Sequence, residues 1–186
     1  MSKVSILGAG TWGCALAILL AGKGHEVTIW TKLEHEAKAL NENRKNMKNL
    51  PGAQMPDEVK ITLDLEAACR DKDLLVMAVA SPFIRSTSKL ASPYIREGQI
   101  IVNVSKGIED GSLLTLSEVI HEEIPQADIA VLSGPSHAEE VSRGVPTTVV
   151  VGAKTMETAH YVQDIFITDV FRVYTSPDIT GIELGG

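Results

Sequence analysis

Three glycines, Gly8, Gly10 and Gly13, stand in the run Gly8-Ala9-Gly10-Thr11-Trp12-Gly13 near the start of this chain. Residues of this type at this spacing suit one chemistry, the holding of a pyrophosphate by backbone N–H groups. Gly8 permits a tight turn out of a strand. Gly10 has no Cβ, so the backbone can come close to a phosphate. Gly13 lets the next helix pack tightly on a sheet. The amino end of that helix offers unpaired N–H groups and the positive end of its dipole to an anion. A lone motif of this form is weak, because a glycine-rich turn also serves other α/β proteins. Here the context is complete. A β-like run over 3–7 precedes it and a small, apolar helical stretch over 14–21 follows. After Gly22-Lys23-Gly24 comes a second strand over 26–30. This is the order that a dinucleotide-binding unit requires.

In such a sheet, ligands bind beyond the carboxyl ends of the strands, so the polar residues that follow each strand are the next candidates. Thr31 and Lys32 follow the second strand, with no acid at the usual ribose-binding place. An acid there favours a free 2′-hydroxyl, as in NAD. A lysine suits a 2′-phosphate and tilts the reading toward NADP. Glu34 is near enough to leave NAD open, and Lys32 as a plain surface residue is the alternative. After the run 73–80, Ser81 reads as a helix N-cap and Pro82 as a first-turn residue. This edge reads as lining the cofactor cleft or as a simple cap. Lys106, in Asn103-Val104-Ser105-Lys106-Gly107, points into the crevice, where it could hold an anionic substrate or polarise a carbonyl. A solvated lysine in a turn is the bland alternative. Ser136 and Glu139 have capping-box spacing, which would aim helix N–H groups at a substrate phosphate or simply start a helix. His137 has an ordinary pKa near neutrality but no carboxylate partner visible in sequence, and reads as a surface residue. His25, His35, His121 and His160 show no ligand spacing, so no metal is expected. Ser136 has no nucleophile-elbow context, which sets aside hydrolysis.

The elements that must position these residues follow from hydrophobic patterning. Apolar runs over 73–80 and 99–104 have the form of strands buried on both faces. Further strands are expected over 128–132, 147–151 and 170–174. Helical stretches lie at 33–43, 63–69, 82–94, 113–123, 138–142 and 156–165, and the irregular stretch is 46–57. Alternation of this kind predicts a doubly wound, mainly parallel α/β sheet of the Rossmann type, with seven or eight strands. The direction of the last strands is left open. The chain has 186 residues, 44% of them hydrophobic, enough for a full core. Its formal net charge of −7 sets it against nucleic acid as a partner. No leader pattern is visible at the amino end. No run approaches the ~18 apolar residues of a membrane span. Two cysteines, Cys14 and Cys69, suit a reduced cytoplasm without a disulfide framework.

The segments together resemble bacterial NAD(P)-dependent glycerol-3-phosphate dehydrogenase. Besides the glycine run, they are Asn49-Leu50-Pro51-Gly52, Val104-Ser105-Lys106-Gly107-Ile108-Glu109, Leu132-Ser133-Gly134-Pro135-Ser136-His137-Ala138-Glu139-Glu140-Val141, Phe171-Arg172-Val173-Tyr174-Thr175 and the tail from Asp178 to Gly186. The resemblance covers the chain end to end. It implies reversible hydride transfer between NAD(P)H and dihydroxyacetone phosphate, giving sn-glycerol 3-phosphate for phospholipid synthesis. It implies cofactor contacts at Thr11, Trp12, Lys32 and Ala138. Lys106 would touch both cofactor and substrate, and Gly134 and Ser136 would touch substrate. Several residues depart from the usual pattern: Thr11 for serine, Cys14 for threonine, and Ala80 for a proline. The last departure is the end of the chain. In the family, the final glycines lead into a helix carrying the proposed general acid/base lysine, and then into an all-helical substrate domain. The expectation is therefore a dinucleotide-binding domain over 1–176 and, over 177–186, the start of a helix toward a missing domain. Residues from about 176 onward are expected to lack a packing partner. A fragment of this kind would bind NADP(H) or NAD(H) and turn over negligibly. Self-association through an exposed apolar face is a further expectation. A non-catalytic dinucleotide-binding module, or a hydroxyacyl or ketopantoate dehydrogenase, is the alternative, and the Ser-Gly-Pro-Ser segment speaks against the latter two.

Overall fold

A computed structural model describes residues 1–45 and 50–186. Asn49, the first residue of one family-like segment, and with it residues 46–49 of the stretch read as irregular lie outside the described residues. The chain begins β1 (Lys3–Leu7), α1 (Thr11–Gly22), β2 (Glu26–Trp30), α2 (Glu34–Asn43), β3 (Lys60–Thr62) and α3 (Leu65–Cys69). It continues β4 (Leu74–Met77), α4 (Ile84–Ala91), β5 (Ile100–Asn103), α5 (Leu116–Glu123), β6 (Asp128–Ser133) and α6 (Ala138–Ser142). It closes with β7 (Thr147–Ala153), α7 (Met156–Phe166), β8 (Phe171–Ser176) and α8 (Ile179–Gly185).

The strands form one eight-stranded sheet in the order β3-β2-β1-β4-β5-β6-β7-β8. Every pairing is parallel except β6 with β7. The chain moves outward from β1 in one direction and then returns to place β4 on its other side. That reversal opens a crevice at the carboxyl ends of β1 and β4. Alternate side chains of each strand feed opposite faces. Ile6 and Val76 join the core under α1 and α7, while Leu7, Leu75 and Met77 join the core under α3, α4 and α5. All four residues of β4 are fully buried, which is why the strand reads as a continuous apolar run.

Several local expectations change. The strand expected over 73–80 is only Leu74–Met77, and residues 78–80 leave the sheet to line the crevice. The helix expected over 82–94 is α4 flanked by 3-10 turns at Ser81–Phe83 and Ser92–Tyr94. Pro82 does sit in the first turn, but Ser81 is the turn's first residue and Ala80 precedes it as cap. The capping box expected at Ser136 and Glu139 does not form. The extended backbone of His137 starts α6 one residue later, and Ser136 Oγ turns instead to the Gly134 carbonyl at 3.3 Å. A capping box is present at Thr115 and Glu118, where the Glu118 carboxylate accepts the Thr115 N–H at 2.8 Å. Strand β3 falls beyond the stretch read as irregular and was not anticipated at 60–62. The tail finds a partner within the chain: α8 packs on β6 and β7, with Ile182 against Gly152.

Candidate functional site

The crevice has two joined lobes that share Gly10, Ala78, Val79 and Ala80. The larger, about 490 Å³, is lined by Gly10, Thr11, Trp12, Ser81, Ser105, Lys106, Ser136, His137 and Ala138. The smaller, about 310 Å³, is lined by Gly8, Trp30, Thr31, Lys32, Leu33, Phe83 and Leu90. The fold thus gathers the strand-end candidates of the sequence around one opening.

The glycine turn is built by contact with its neighbours. Gly8 has φ +126°, and a Cβ there would lie 2.6 Å from the Ala78 carbonyl oxygen. Its N–H donates to the Trp30 carbonyl at 2.9 Å, which fixes the exit of β1 beside β2. A Cβ on Gly13 would overlap the Gly8 carbonyl oxygen, so α1 starts directly against the turn. Gly10 differs, because a Cβ there would meet nothing within 4 Å. The space beside Gly10 opens into both lobes. Helix α1 has no acidic residue in its first turn and no side-chain cap, so its positive end is left for an anion. The chemistry of this cradle fits a pyrophosphate.

Lys106, Gly134 and Ser136 converge at the far side of the larger lobe. Lys106 Nζ donates to the Gly134 carbonyl at 2.9 Å, the same oxygen that accepts from Ser136 Oγ. Gly134 itself lies tight on β7, where a Cβ would come within 2.9 Å of the Thr148 carbonyl oxygen. Ala138 is buried behind this group, and His137 is exposed at its rim. The loop carrying Lys106 is held by its own polar residues. Ser105 Oγ donates to the Val79 carbonyl at 2.6 Å, joining the loop to the crevice wall. Farther along, Arg85 of α4 donates to both Glu109 carboxylate oxygens at 2.7 Å and to Glu122 and Glu123 of α5 at 2.8 Å. The Arg85 guanidinium holds the Glu109 carboxyl down to about 2, and the three carboxylates raise the Arg85 pKa above its ordinary value.

At the other lobe, Lys32 is exposed on the wall, whereas Glu34 does not line it. An acid does stand at the end of β2: the Glu36 carboxylate accepts the Thr31 hydroxyl at 2.7 Å. Sequence reasoning passed over Glu36, since one helical turn beyond the strand brings it back to Thr31. It also passed over Leu33 and Leu90, which with Phe83 form an apolar wall left about half exposed. Their one sequence signal is an apolar residue in an otherwise polar setting, Leu33 just before α2 and Leu90 near the end of α4. Of the scattered histidines, His25 lies at the opposite edge, accepting from Ser2 N–H and 3.1 Å from the Ile165 carbonyl. Burial pushes its pKa below the usual value. Among the described residues, no group of three or more His, Cys, Asp or Glu is arranged to hold a metal. Nor is any helix among them long and apolar enough to cross a membrane.

Comparison with known proteins agrees with this geometry. The chain is 54% identical over 186 residues to a glycerol-3-phosphate dehydrogenase (NAD(P)+) of Agathobacter rectalis, covering all of this chain and 55% of that protein. It is 50% identical over 188 residues to the enzyme of the same name from Fusobacterium nucleatum, covering 56% of it. The crystal structure of glycerol-3-phosphate dehydrogenase from Coxiella burnetii superposes with a TM-score of 0.94 at 32% identity, over all of this chain and 57% of that one. The chain therefore spans about half the length of the relatives it matches. Residues 3–159 match the family model described as NAD-dependent glycerol-3-phosphate dehydrogenase N-terminus, and the chain belongs to that family.

Proposed function

We propose that this chain is the cofactor-binding half of an enzyme that reversibly reduces dihydroxyacetone phosphate to sn-glycerol 3-phosphate with NAD(P)H. The observation that carries the reading is the Lys106 ammonium, held on the Gly134 carbonyl across the crevice from the glycine turn. A bound nicotinamide would supply the hydride. The rest falls to residues of the chain. The open side of Gly10 and the amino end of α1 receive a pyrophosphate. Gly8 and Gly13 hold that cradle in shape. Lys106 faces the place where a carbonyl oxygen gathers negative charge, and its ammonium stabilises that charge as it develops. Ser136 offers a hydroxyl and Gly134 a backbone carbonyl to the substrate side, with Thr11, Trp12 and Ala138 on the cofactor side. Lys32, on the wall of the smaller lobe, favours a 2′-phosphate and so NADP(H), while Glu36, whose carboxylate is held on Thr31 of the same wall, leaves NAD(H) open.

In this reading residues 1–176 form the dinucleotide-binding domain, and 177–186 open the helix toward a substrate domain. The general acid/base lysine belongs to that second part, so this chain binds dinucleotide without appreciable turnover. Two buried cysteines, neither in a disulfide, suit a reducing cytoplasm. The test is calorimetric titration of the chain with NADPH and with NADH, for wild type and Lys106→Ala, with a turnover assay alongside. We expect saturable binding of at least one dinucleotide, weakened about tenfold by Lys106→Ala, and no measurable reduction of dihydroxyacetone phosphate. Absence of binding by both dinucleotides refutes the cofactor site. Full turnover refutes the assignment of the acid/base group to another part of the protein.

A further inference from the structure

Glu183 sits on α8, remote in sequence from the crevice, yet its carboxylate accepts three hydrogen bonds at the carboxyl edge of the sheet. Asn103 Nδ2 donates to Oε1 at 3.2 Å, the Ser117 N–H to Oε1 at 3.0 Å, and Ser117 Oγ to Oε2 at 2.5 Å. The identity of the donors is the point. Asn103 is the last residue of β5, and Ser117 lies in the first turn of α5. Between them runs the loop that carries Lys106. One carboxylate therefore grips both ends of that loop.

The grip at the first end is transmitted by a buried amide. Asn103 has no exposed surface. Its Oδ1 accepts the Ser105 N–H at 3.1 Å, and its Nδ2 donates to the Ser105 carbonyl at 3.2 Å as well as to Glu183. Both amide hydrogens and the carbonyl are in use. A carboxylate only accepts, so it fixes which side of the amide faces α8 and which side shapes the turn. Ser105 then hands the turn to the Val79 carbonyl on the crevice wall, and Lys106 is the next residue. At the second end, the carboxylate stands at the positive end of α5, where an anion is favoured. The ion pair of Arg85 with Glu109 secures the middle of the same loop.

We propose that Glu183 is a positioning residue for Lys106, a single carboxylate on α8 that clamps both ends of the loop bearing that lysine. The inference rests on the reading of Lys106 as the ammonium group of the crevice. Without the carboxylate, a buried amide hydrogen of Asn103 and an N–H of α5 lose their partner, and the turn before Lys106 is free to rotate. The hydrogen bond from Lys106 to Gly134 is then the contact that gives way.

The test compares wild type, Glu183→Gln, Glu183→Ala and Ile182→Ala. Ile182 docks α8 against Gly152 of β7 and serves as the control for loosened packing. The readout is the rate of Lys106 acetylation by an N-hydroxysuccinimide ester, resolved by peptide mass spectrometry, without ligand and with NADH or NADPH. Thermal midpoints are recorded for each variant. We expect Glu183→Gln to speed unliganded labelling of Lys106 about tenfold, with Lys89 and Lys154 labelled at unchanged rates. Ile182→Ala lowers the midpoint and leaves the Lys106 rate as in wild type. Should Glu183→Ala not fold, the isosteric Glu183→Gln decides alone. Wild-type labelling of Lys106 in Glu183→Gln overturns the proposal, as does equal acceleration in Ile182→Ala, which would make the effect one of packing. A failure of NADH and NADPH to protect Lys106 in wild type instead refutes the cofactor reading, since the unliganded rates alone decide the clamp.

Discussion

Gly8→Ala and Gly10→Ala divide the work of the glycine turn between folding and binding. At Gly8 an added Cβ lies 2.6 Å from the Ala78 carbonyl oxygen and 2.9 Å from the Val79 nitrogen, both backbone atoms at the exit of β4. Backbone there cannot yield without moving the sheet edge, and such overpacking costs about 1–3 kcal/mol. The φ of +126° adds strain for any residue with a Cβ, about 1–3 kcal/mol more. The sum is roughly 2–6 kcal/mol, which for a chain of this size lowers the melting temperature by roughly 5–20 °C. At Gly10 the backbone, φ −68° and ψ −177°, suits any residue, and the added Cβ meets nothing. Loss of a glycine cap and reduced freedom of the unfolded chain each amount to about 0.5–1 kcal/mol with opposite signs. Gly10→Ala should therefore melt within about 2 °C of wild type. Its methyl group would stand where a phosphate meets the backbone, so dinucleotide binding falls by at least about tenfold. Scanning calorimetry gives the first quantity and titration with NADH and NADPH the second. Wild-type melting in Gly8→Ala, or wild-type binding in Gly10→Ala, refutes the reasoning.

Lys32→Ala is expected to weaken NADPH binding selectively, leaving NADH binding unchanged; an equal effect on both, by titration calorimetry, removes Lys32 from the 2′-phosphate. The clamp of Arg85 on Glu109 has a defined pH dependence. The Glu109 carboxyl is held below its usual value, at about 2 in the folded chain. Its contribution is complete above the ordinary carboxylate range and is lost only as pH falls toward that folded value. In Arg85→Ala, Glu109 should titrate higher, back toward the ordinary carboxylate range, with the Ser112 hydroxyl still donating to it, and carboxyl NMR titration distinguishes the two. Burial pushes the Cys69 thiol up to about 12, and Cys14 is buried as well. Neither should react with an aromatic disulfide reagent at about pH 8 until the chain is unfolded.

Local pattern carried the elements whose neighbours in sequence are also their neighbours in space. The apolar runs of β1, β2, β4 and β5, the glycine turn and the start of α1 could be read in order, because each depends on side-chain period and on glycine at a strand exit. Residues at the strand ends do line the crevice, since a parallel sheet sends its carboxyl edges to one side. What failed was local too, but contested. Ser136 and Glu139 had the spacing of a capping box, yet the chain turns one residue later and the hydroxyl goes to Gly134. Strand β3 is too short for a period, and it exists because β2 offers it an edge.

The sequence by itself determined the alternation of strand and helix, the glycine turn, and the type of group waiting at each strand end. These follow from properties of a few consecutive residues. Only the tertiary structure decided that β7 runs antiparallel beside β6, that Glu36 rather than Glu34 stands by Thr31, and that Lys106 rests on Gly134. It alone brought Glu183 to both ends of the Lys106 loop. Each of these is a hydrogen bond or a register between segments whose meeting is set by the packing of the whole sheet, and no spacing along the chain encodes that angle.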